Sequence, residues 1–541
     1  MTPVNPMASL WGGPSDAPRL IDVLLDRARR IPDATAVVDP RTTVTYAELL
    51  AWAGQIADLI AARGVSPGEP VAVTGPRSAD AVAAVVATLL AGAVYVPLDR
   101  EYPARRLAHM LDDSRARLLL HIGAEPALGG DRLVRVPVPP LDRSAGALAG
   151  GPATPPPHRG PEHPVYTIYT SGSTGWPKGV SVTQRCVDVM TAWQAAHSPR
   201  PDLRTAQFAP LNFDVFFQET LGTLHGGGSV HVVPEELRRD PSGLLWWLEH
   251  HRIERLFLPC LALQMLAVAA SGRPRLNGLL LREVNTAGEQ LVCTPDVRAL
   301  FGRLPLCRLV NHYGQSESAM VSAHVLSGPP ELWPDLPPIG LPLPGCEVLV
   351  DPERPDDPYE GELLVAGAPV ASGYLNQPEL TARRYTALPP TRHGHTRAFR
   401  TGDLVRIGRS GLHFLGRMDE DVKIRGVRVN LLEVDAQLLA HPAIRAAATV
   451  VHVSRSGLRG LRAAVVLAPS AAGLDEPAVL AHLRDTLPET SVPVSLTRVD
   501  ELPRTPSGKI DKEALQPVLA ADIDRRRSVI ASRFAGQGEP A

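Results

Sequence analysis

Short apolar runs alternate with amphipathic helical patterns through the first half of the chain. Helical patterns such as LIDVLLDRARRI (20–31) and YAELLAWAGQIADLIAARG (46–64) are followed by runs such as EPVAVTG (69–75). Strands that alternate with helices usually lie parallel, because each crossover helix packs back onto a face of the sheet. The alternation, which continues to about Arg308, therefore predicts an α/β fold of stacked sheets.

Two later changes of pattern divide the rest of the chain. Beyond Arg308, runs such as EVLVD (347–351) and GELLVAG (361–367) are typical of short strands joined by hairpin turns, as in a distorted β-barrel. Beyond Arg417, the pattern is that of a small α+β unit of roughly 100 residues, which is the size of a domain. We predict a disordered extension over 1–18, a large N-terminal core over 19–417, a small mobile C-terminal domain over 418–518 and a disordered tail over 519–541.

Composition excludes several classes of partner. The net charge of −2 gives no bulk field for nucleic acid or an anionic membrane. The uncharged stretch over 81–98 is long enough to suggest a membrane span, but Gly92 and Pro97 interrupt it and favour a buried helix followed by a buried strand. The five cysteines show no CxxC pair, and the N-terminus lacks the pattern of a secretion signal. We expect a cytoplasmic monomer or weak dimer.

The stretch YTSGSTGWPKGV (169–180) directly follows a predicted strand, VYTIYT (165–170). Its glycines let a backbone approach a ligand closely, and its hydroxyls add hydrogen-bond donors, so the loop suits phosphate oxygens. A flexible surface turn is the alternative. Only four of the 55 basic residues of the chain are lysines, and Lys178 lies here. Because a compact ammonium can touch several oxygens in a closed site, a lysine in a chain that otherwise uses arginine is informative.

The loop resembles the phosphate-binding loop of the AMP-forming adenylating enzymes, which include acyl-CoA synthetases, luciferases and the adenylation domains of nonribosomal peptide synthetases. The resemblance extends over about 20–515, with further stretches in the family's order. They are NFDVFFQE (212–219), NHYGQSE (311–317), SGYLNQPELTARRY (372–385), FRTGDL (399–404), GRMDEDVKIRGVRVN (416–430) and TPSGKID (505–511). The resemblance implies that a carboxylate attacks the α-phosphate of ATP, with Mg²⁺ present, to give an acyl adenylate and pyrophosphate, and that a thiol then takes the acyl group.

For the nucleotide, the resemblance implies that Lys178 and the loop hydroxyls hold the pyrophosphate end and that Glu317 holds Mg²⁺. Tyr313 would stack on adenine, while Asp403, assisted by Arg417, would accept hydrogen bonds from the ribose. The implied ATP-binding set is Thr170, Ser171, Gly172, Ser173, Thr174, Gly175, Lys178, Gly288, Glu289, Asn311, His312, Tyr313, Gly314, Ser316, Asp403, Arg417 and Lys509.

Four residues are implied in the chemistry itself: Lys178, Glu317, Lys423 and Lys509. Lys509 would bridge the substrate carboxylate and the charge that develops at the α-phosphate. The family rotates its C-terminal domain at a hinge, here Asp419, so that Lys509 would serve adenylation and the segment with Lys423 would serve thioester formation. An ordinary surface turn is the alternative for Asp419.

The identity of the acid depends first on Asp214, because a carboxylate at this place pairs with a substrate α-ammonium. Its alternative role is a helix N-cap. The implied pocket consists of Asp214, Val215, Gln218, Leu261, Asn285, Ala287, His312, Met320 and Val321, with Lys509. This set is similar to the pockets of proline-activating adenylation domains. Asn285 and Met320 depart from them, and Asn285 either bonds a substituent of a modified proline ring or binds a water. Gln218 and His312 either touch the substrate or pair behind it.

Other departures fall outside the pocket. Gln315 stands where proline is usual, in the turn before Glu317. Asn430 and Leu432 stand where an acidic residue and glycine are usual, and these two departures put the thioester-forming step in doubt. We expect an enzyme that loads an amino acid onto a separate carrier protein in trans. The alternatives are an acyl- or aryl-CoA ligase or amide-forming ligase with another acceptor and, more remotely, an ATP-binding or carrier-docking protein without turnover.

Overall fold

The computed structural model describes residues 7–130, 132–144, 159–172, 175–276, 278–354, 356–418, 421–454, 458–468, 471, 473–503 and 510–522. Two compact units make up the chain. The core unit comprises Met1–Arg100, Met110–Thr170 and Lys178–Asp419. The C-terminal unit comprises Glu101–His109, Ser171–Pro177 and Glu420–Ala541. The two units are described one at a time.

Helices of the core unit alternate with its strands as the sequence predicts. The helices are α1 (Leu20–Arg30), α2 (Tyr46–Ala62), α3 (Ala79–Leu90), α4 (Ala104–Ser114, divided between the units after His109), α5 (Gln184–His197), α6 (Asp214–Gly226), α7 (Pro241–His250), α8 (Cys260–Ser271), α9 (Pro295–Gly302) and α10 (Pro378–Arg384). Short 3-10 turns occupy Glu235–Arg239 and Pro330–Leu332. Every residue of α3 except Asp80 is buried, as is every residue of the following strand Val94–Leu98, so the uncharged stretch over 81–98 is largely a buried helix and a buried strand. Among the described residues, no helix has the length and apolar character needed to cross a membrane.

The strands of the core unit form three sheets. In chain order they are β1 (Ala8–Trp11), β2 (Thr35–Val38), β3 (Thr43–Thr45), β4 (Pro70–Thr74), β5 (Val94–Leu98), β6 (Leu118–His121), β7 (Val134–Pro137), β8 (Pro164–Thr170), β9 (Lys178–Thr183), β10 (Arg204–Gln207), β11 (Ser229–Val232), β12 (Arg255–Pro259), β13 (Glu283–Ala287), β14 (Arg308–Gln315), β15 (Ala319–Leu326), β16 (Leu341–Pro342), β17 (Cys346–Pro352), β18 (Glu360–Gly367), β19 (Gly373–Tyr374), β20 (Tyr385–Ala387), β21 (Arg397–Gly408) and β22 (Gly411–Arg417).

Strand order explains how distant motifs meet. One sheet has the order β19-β9-β8-β5-β4-β6-β7, and a second has β16-β15-β14-β13-β12-β10-β11-β2-β3. The second sheet is parallel from β14 to β2 and antiparallel at its edges. The third, antiparallel sheet has the order β1-β17-β18-β21-β20, with β22 on β21. The predicted α/β fold with a barrel-like third sheet is confirmed.

One predicted disordered segment is ordered in part. Residues 8–11 form β1, which pairs antiparallel with Glu347–Val350 of β17. The Trp11 ring also stacks on His393, with ring centroids 4.4 Å apart. The prediction of a disordered extension over 1–18 is therefore wrong for these residues, because a short run ending in a large aromatic residue completes the edge of the third sheet.

The C-terminal unit has its own apolar core. It contains the hairpin β23 (Asp421–Ile424) and β24 (Val427–Asn430), the helices α11 (Leu431–Leu439) and α12 (Glu476–Arg484), a 3-10 turn at Glu489–Ser491, and a sheet of β25 (Ile444–Val453), β26 (Arg459–Leu467) and β27 (Leu496–Arg498). Residues 512–522 are helical, and Leu515 and Leu519 are buried. The predicted tail over 519–541 thus begins as helix through 522, and its remainder lies outside the described residues.

Buried histidines make the stability of the core unit depend on pH. Burial lowers the pKa of His225, His231 and His312 from 6.5 to about 4. Between pH 6.5 and 4 the unfolded chain therefore binds more protons than the folded chain. The free energy of unfolding is highest above pH 6.5 and decreases as the pH falls towards 4. Each histidine accounts for about 2 kcal/mol of that loss by pH 5.

We expect the urea concentration at the unfolding midpoint of the wild type to be lower at pH 5 than at pH 7, with unfolding monitored by tryptophan fluorescence. His225→Leu should lose less over the same interval, because both ring nitrogens of His225 are buried without a partner among the described residues. An equal loss in the variant and the wild type would show that His225 does not contribute.

Candidate functional site

A buried carboxylate and a lysine from distant motifs meet in the core unit. Glu317 is 0% exposed, and its Oε1 lies 3.5 Å from Lys178 Nζ. Tyr374 joins the pair: its hydroxyl donates to Glu317 Oε1 at 3.0 Å and accepts from Lys178 Nζ at 3.3 Å. The Lys178 ammonium also lies 4.4 Å from the centre of the Tyr374 ring. The predicted metal carboxylate and phosphate lysine are therefore neighbours.

A tight turn places Glu317. This turn, residues 316–318, joins β14 to β15. The register between the two strands shifts at a β-bulge between Tyr313 and Gly314, just before the turn. A Cβ on Gly314 would lie 1.9 Å from the Ala319 carbonyl oxygen, so only glycine fits there. Ala319 has a φ of 45°, in the left-handed region that disfavours a residue with a Cβ. Strain of this kind persists where the surrounding structure fixes the backbone. In this turn the Glu317 backbone carbonyl accepts from the Tyr385 hydroxyl at 3.2 Å.

Asp403, the predicted ribose acceptor, receives several hydrogen bonds. It is 2% exposed on β21. Its Oδ1 accepts from Arg417 Nη1 at 2.6 Å, and its Oδ2 accepts from the Tyr313 hydroxyl and from Gln315 Nε2, the latter at 2.6 Å. Burial, reinforced by the Asp403 carboxylate, raises the pKa of Tyr313 well above its ordinary value, so its hydroxyl stays a donor. Asp403, Arg417 and Tyr313 thus come together as the motifs imply.

The residues predicted near adenine lie within or directly after two neighbouring strands. Asn311 is buried on β14, and its amide nitrogen donates to the Pro338 carbonyl at 2.8 Å. Gly288 and Glu289 follow β13, the strand beside β14, and Gly288 has a φ of 93°. The carboxyl ends of parallel strands are where open α/β sheets place their ligands.

The predicted phosphate loop is divided between the units. Thr170 ends β8 opposite Lys178 in the core unit, and its Oγ1 is buried without a partner among the described residues. Ser171, Gly172 and Gly175 belong to the C-terminal unit, within which the Ser171 hydroxyl donates to the Arg428 carbonyl at 3.3 Å and the Gly175 carbonyl accepts from Gln437 Nε2 at 2.7 Å. Ser316 lies in the turn before Glu317. Ser173 and Thr174 lie outside the described residues.

The substrate side of the prediction begins at Asp214, the first residue of α6. Its Oδ1 accepts from the Val215 backbone N–H at 2.8 Å. The N-cap itself is Phe213, which makes no side-chain cap, so the N-cap alternative for Asp214 is wrong. The first turn of a helix is favourable for a carboxylate because the helix dipole is positive there.

Gln218 and His312 form a buried pair, one of the two arrangements that the sequence left open. Gln218 Nε2 lies 3.2 Å from His312 Nδ1 and 3.3 Å from Met320 Sδ. An amide nitrogen only donates, so Nδ1 accepts and the neutral ring carries its proton on Nε2. Burial lowers the pKa of His312 to about 4, which keeps the ring neutral at pH 7. His312 Nε2 has no hydrogen-bond partner among the described residues.

Asn285 is tied to a buried ionic cluster. Its amide nitrogen donates to Glu283 Oε1 at 3.2 Å, and Glu283 also pairs with Arg255 Nε at 2.8 Å and with Arg308. Burial opposes ionisation of Glu283, but the two guanidiniums more than offset it and hold the pKa of Glu283 below its ordinary value. One of the two N–H donors of the Asn285 amide is thus used within the protein.

The remaining predicted pocket positions lie on the elements α6, α8, β13 and β15. Val215 follows Asp214 on α6, Leu261 is near the start of α8, Ala287 ends β13, and Val321 is fully buried on β15. Pro259 and Ala287 are register partners of the parallel strands β12 and β13, so the start of α8 and the end of β13 are adjacent.

Three chemical predictions concern the C-terminal unit or fall outside the described residues. Lys423 lies on β23 opposite Arg428 of β24. Lys509 and Asp419 lie outside the described residues, so their roles stay predictions.

Asn430 caps α11: its Oδ1 accepts from the Leu432 backbone N–H at 2.9 Å, and its Nδ2 donates to Asp421 at 2.6 Å. This departure from the family pattern therefore has a structural role within its own unit.

Sequence reasoning missed Tyr374 and underrated Gln315. Tyr374 lies within the quoted stretch SGYLNQPELTARRY, but its link to Lys178 depends on the pairing of β19 with β9. From the sequence alone, Gln315 is only a departure from the family pattern. Its polar side chain at a place where proline is usual was a signal that something nearby needs a donor.

The fold and these side chains define an adenylate-forming enzyme, and comparison with known proteins agrees. The chain belongs to the AMP-binding enzyme family, whose model matches residues 24–375, while the model of the AMP-binding enzyme C-terminal domain matches 433–509. It is an AMP-forming ligase.

Among curated relatives, phosphinothricin tripeptide synthetase PhsC of Streptomyces viridochromogenes is 38% identical over 94% of this chain and 46% of its own length. Tyrocidine synthase 2 of Brevibacillus parabrevis is 34% identical over 90% of this chain and 13% of its own length. The chain thus spans less than half the length of either relative.

Solved structures agree with the fold. Holo-PA1221, a nonribosomal peptide synthetase protein containing adenylation and PCP domains, superposes with a TM-score of 0.78 at 28% identity, covering 92% of this chain and 84% of that one. The amide bond synthetase McbA from Marinactinospora thermotolerans gives 0.77 at 27% identity, covering 92% and 99%.

Proposed function

We propose that this enzyme activates an amino acid as its aminoacyl adenylate. The observation that carries the proposal is Asp214, a carboxylate in the first turn of α6, beside a pocket that contains the Gln218–His312 pair. An α-ammonium pairs favourably with such a carboxylate, whereas a fatty or aryl acid brings no cation for it. The peptide synthetase relatives support the same substrate class.

The reaction joins one carboxylate oxygen of the amino acid to the α-phosphorus of ATP and breaks the bond from that phosphorus to the β-phosphate bridge. Catalysis of such transfers is mainly positioning and charge neutralisation. Lys178 holds phosphate oxygens, Asp403 and Arg417 hold the ribose, and Tyr313 stacks on adenine. Lys509 binds the substrate carboxylate and the α-phosphate, as the motif implies.

The residues present fit a magnesium ion. Mg²⁺ is held at nucleotide sites by one or two carboxylates together with phosphate oxygens, and Glu317 supplies one buried carboxylate beside Lys178. The described residues contain no cluster of three or more acidic, histidine or cysteine ligands, so phosphates and waters would complete the coordination. When bound, the ion neutralises phosphate charge. Tyr374 and Lys178 orient the carboxylate that holds it.

Within this substrate class, we propose L-proline or a ring-modified proline. Support comes from the similarity of the pocket residues to proline-activating pockets and from the Gln218–His312 pair behind Met320. Asn285 gives one N–H to Glu283, and its second N–H and its Oδ1 would suit a substituent on a modified ring or a water. His312 Nε2 would likewise suit an acceptor oxygen on a modified ring.

The test is exchange of labelled pyrophosphate into ATP across the proteinogenic amino acids and hydroxylated, methylated and larger- or smaller-ring proline analogues. Strong exchange with proline or one analogue supports both the chemistry and the pocket assignment. Exchange with an unrelated amino acid keeps the chemistry and overturns the pocket assignment. Absence of exchange with every amino acid overturns the proposal and favours an aryl acid or a protein without turnover.

For the acceptor, we propose the phosphopantetheine thiol of a carrier protein supplied in trans. The likeness to a protein that contains adenylation and PCP domains supports a carrier. Because McbA is an amide bond synthetase, amines are the competing acceptor class. Adding holo-carrier, coenzyme A or a primary amine to the preformed adenylate separates the three acceptors, and acylation of the amine alone would overturn the carrier proposal.

A further inference from the structure

Gln315 contacts two groups that both accept hydrogen bonds. Its Nε2 donates to the Thr401 carbonyl oxygen at 3.1 Å and to Asp403 Oδ2 at 2.6 Å. A flipped amide would place its oxygen against two acceptors, so the nitrogen must face them. The side chain is 6% exposed, and its Oε1 has no partner among the described residues. The amide is therefore oriented entirely by its contacts with β21.

These contacts fix the carboxylate of Asp403 from one side. Arg417 holds Oδ1, while Gln315 and Tyr313 share Oδ2. Gln315 also bonds the backbone at Thr401, whose hydroxyl accepts from the Asp403 N–H at 3.0 Å. One amide thus ties the end of β14 both to the strand that carries Asp403 and to its carboxylate. Without it, one of the two donors to Oδ2 is lost, and the carboxylate gains freedom to rotate.

We propose that Gln315 is a positioning residue that aims Asp403 at the ribose hydroxyls and so sharpens the selection of ribonucleotides over deoxyribonucleotides. Proline, which is usual at this place in resembling sequences, has no side-chain donor. This inference rests on the proposed function, in which Asp403 accepts from the ribose. A charge-assisted acceptor selects by geometry only when its orientation is fixed before the ligand arrives.

Gln207 provides a matched control. Its Nε2 also donates to one backbone carbonyl, that of Ala209 at 2.6 Å, and to one carboxylate, Glu219 Oε2 at 3.1 Å. It is buried, like Gln315. Gln315→Leu and Gln207→Leu therefore each remove one hydrogen bond to a backbone carbonyl and one to an acidic side chain, and only the first substitution involves the predicted ribose acceptor.

The experiment measures KM for ATP, 2′-deoxyATP and 3′-deoxyATP in substrate-dependent pyrophosphate exchange. We expect Gln315→Leu to lower the ratio of deoxynucleotide KM to ATP KM by about fivefold, the effect of one lost hydrogen bond, chiefly by raising KM for ATP. Rate at saturating 2′-deoxyATP should stay within about twofold of the wild type. Gln207→Leu should keep the wild-type ratio even if it is less stable.

An unchanged ratio in Gln315→Leu, an equal fall in Gln207→Leu, or a wild-type ratio near one would overturn the inference. If circular dichroism shows that Gln315→Leu does not fold, Gln315→Pro, which restores the residue usual in the family, is measured with the same expected fall. A wild type that shows no exchange with any acid refutes the proposed function instead, so the two failures are distinguishable.

Discussion

Glu317→Gln is expected to lower the rate of amino-acid-dependent pyrophosphate exchange by about 100- to 1,000-fold, the range seen when one preorganised charge-stabilising group is lost. Glutamine keeps the shape of the side chain but removes the charge that pairs with Lys178 and that suits Mg²⁺. The loss should be relieved only in part by raising the magnesium concentration. The measurement is the initial exchange rate at Mg²⁺ concentrations from about 0.1 to 50 mM. This range spans weak and saturating occupancy of the Mg²⁺ site.

Glu347→Gln is the control for Glu317→Gln. Glu347 is also a buried carboxylate of the core unit, and it accepts from the Thr391 hydroxyl at 2.5 Å, so its loss tests the effect of removing a buried charge from the third sheet. We expect its exchange rate to stay close to that of the wild type. A Glu317→Gln enzyme that is folded and exchanges within about fivefold of the wild type at saturating Mg²⁺ would contradict the role of Glu317.

Asp214→Asn is expected to lower kcat/KM for the amino acid by about 30- to 1,000-fold, because removing one partner of a desolvated charge pair costs about 2–4 kcal/mol. The decisive readout compares proline with cyclopentanecarboxylic acid, which keeps the ring and the carboxylate but has no ammonium. The wild type should prefer proline strongly, and the variant should lose most of that preference.

Asp296→Asn is the control for Asp214→Asn, since Asp296 also lies in the first turn of a helix, α9, where it accepts from the Ser271 hydroxyl at 2.8 Å. Its kinetic constants should match those of the wild type. If Asp214→Asn retained the full preference for proline over the ring acid, Asp214 would not bind the ammonium and the pocket assignment would fail.

The ordered motifs predicted most of the candidate site, and several of them lie at a strand end or in the turn that follows a strand. Glu317 and Lys178 are far apart in sequence. The motifs predict that Lys178 holds the pyrophosphate end and that Glu317 holds Mg²⁺, and the 3.5 Å between Lys178 Nζ and Glu317 Oε1 is consistent with these two roles. The alternation of strands and helices likewise predicted the stacked parallel sheets. Local pattern is sufficient for the parallel sheets because each crossover helix packs back onto a face of its sheet.

Other contacts depend on pairings that no local pattern contains. Tyr374 reaches Lys178 because β19 adds to β9, and Ala8–Trp11 are ordered because β17 offers them an edge. Asn430 and Gln315 departed from the family pattern, and only the structure shows that the first caps a helix and the second holds Asp403. The N-cap alternative for Asp214 failed because the helix begins one residue earlier than a cap at 214 requires.

Transfer of oxygen-18 from a labelled amino acid to AMP tests the central claim most directly. If the carboxylate of the amino acid attacks the α-phosphate, and an acceptor then takes the acyl group, the carbon–oxygen bond of the adenylate breaks and one labelled oxygen stays on AMP. With proline, or the analogue that exchanges best, carrying oxygen-18 in its carboxylate, we predict AMP heavier by one labelled oxygen in mass spectrometry. AMP without the label, formed while the amino acid is consumed, would contradict adenylate formation by this enzyme.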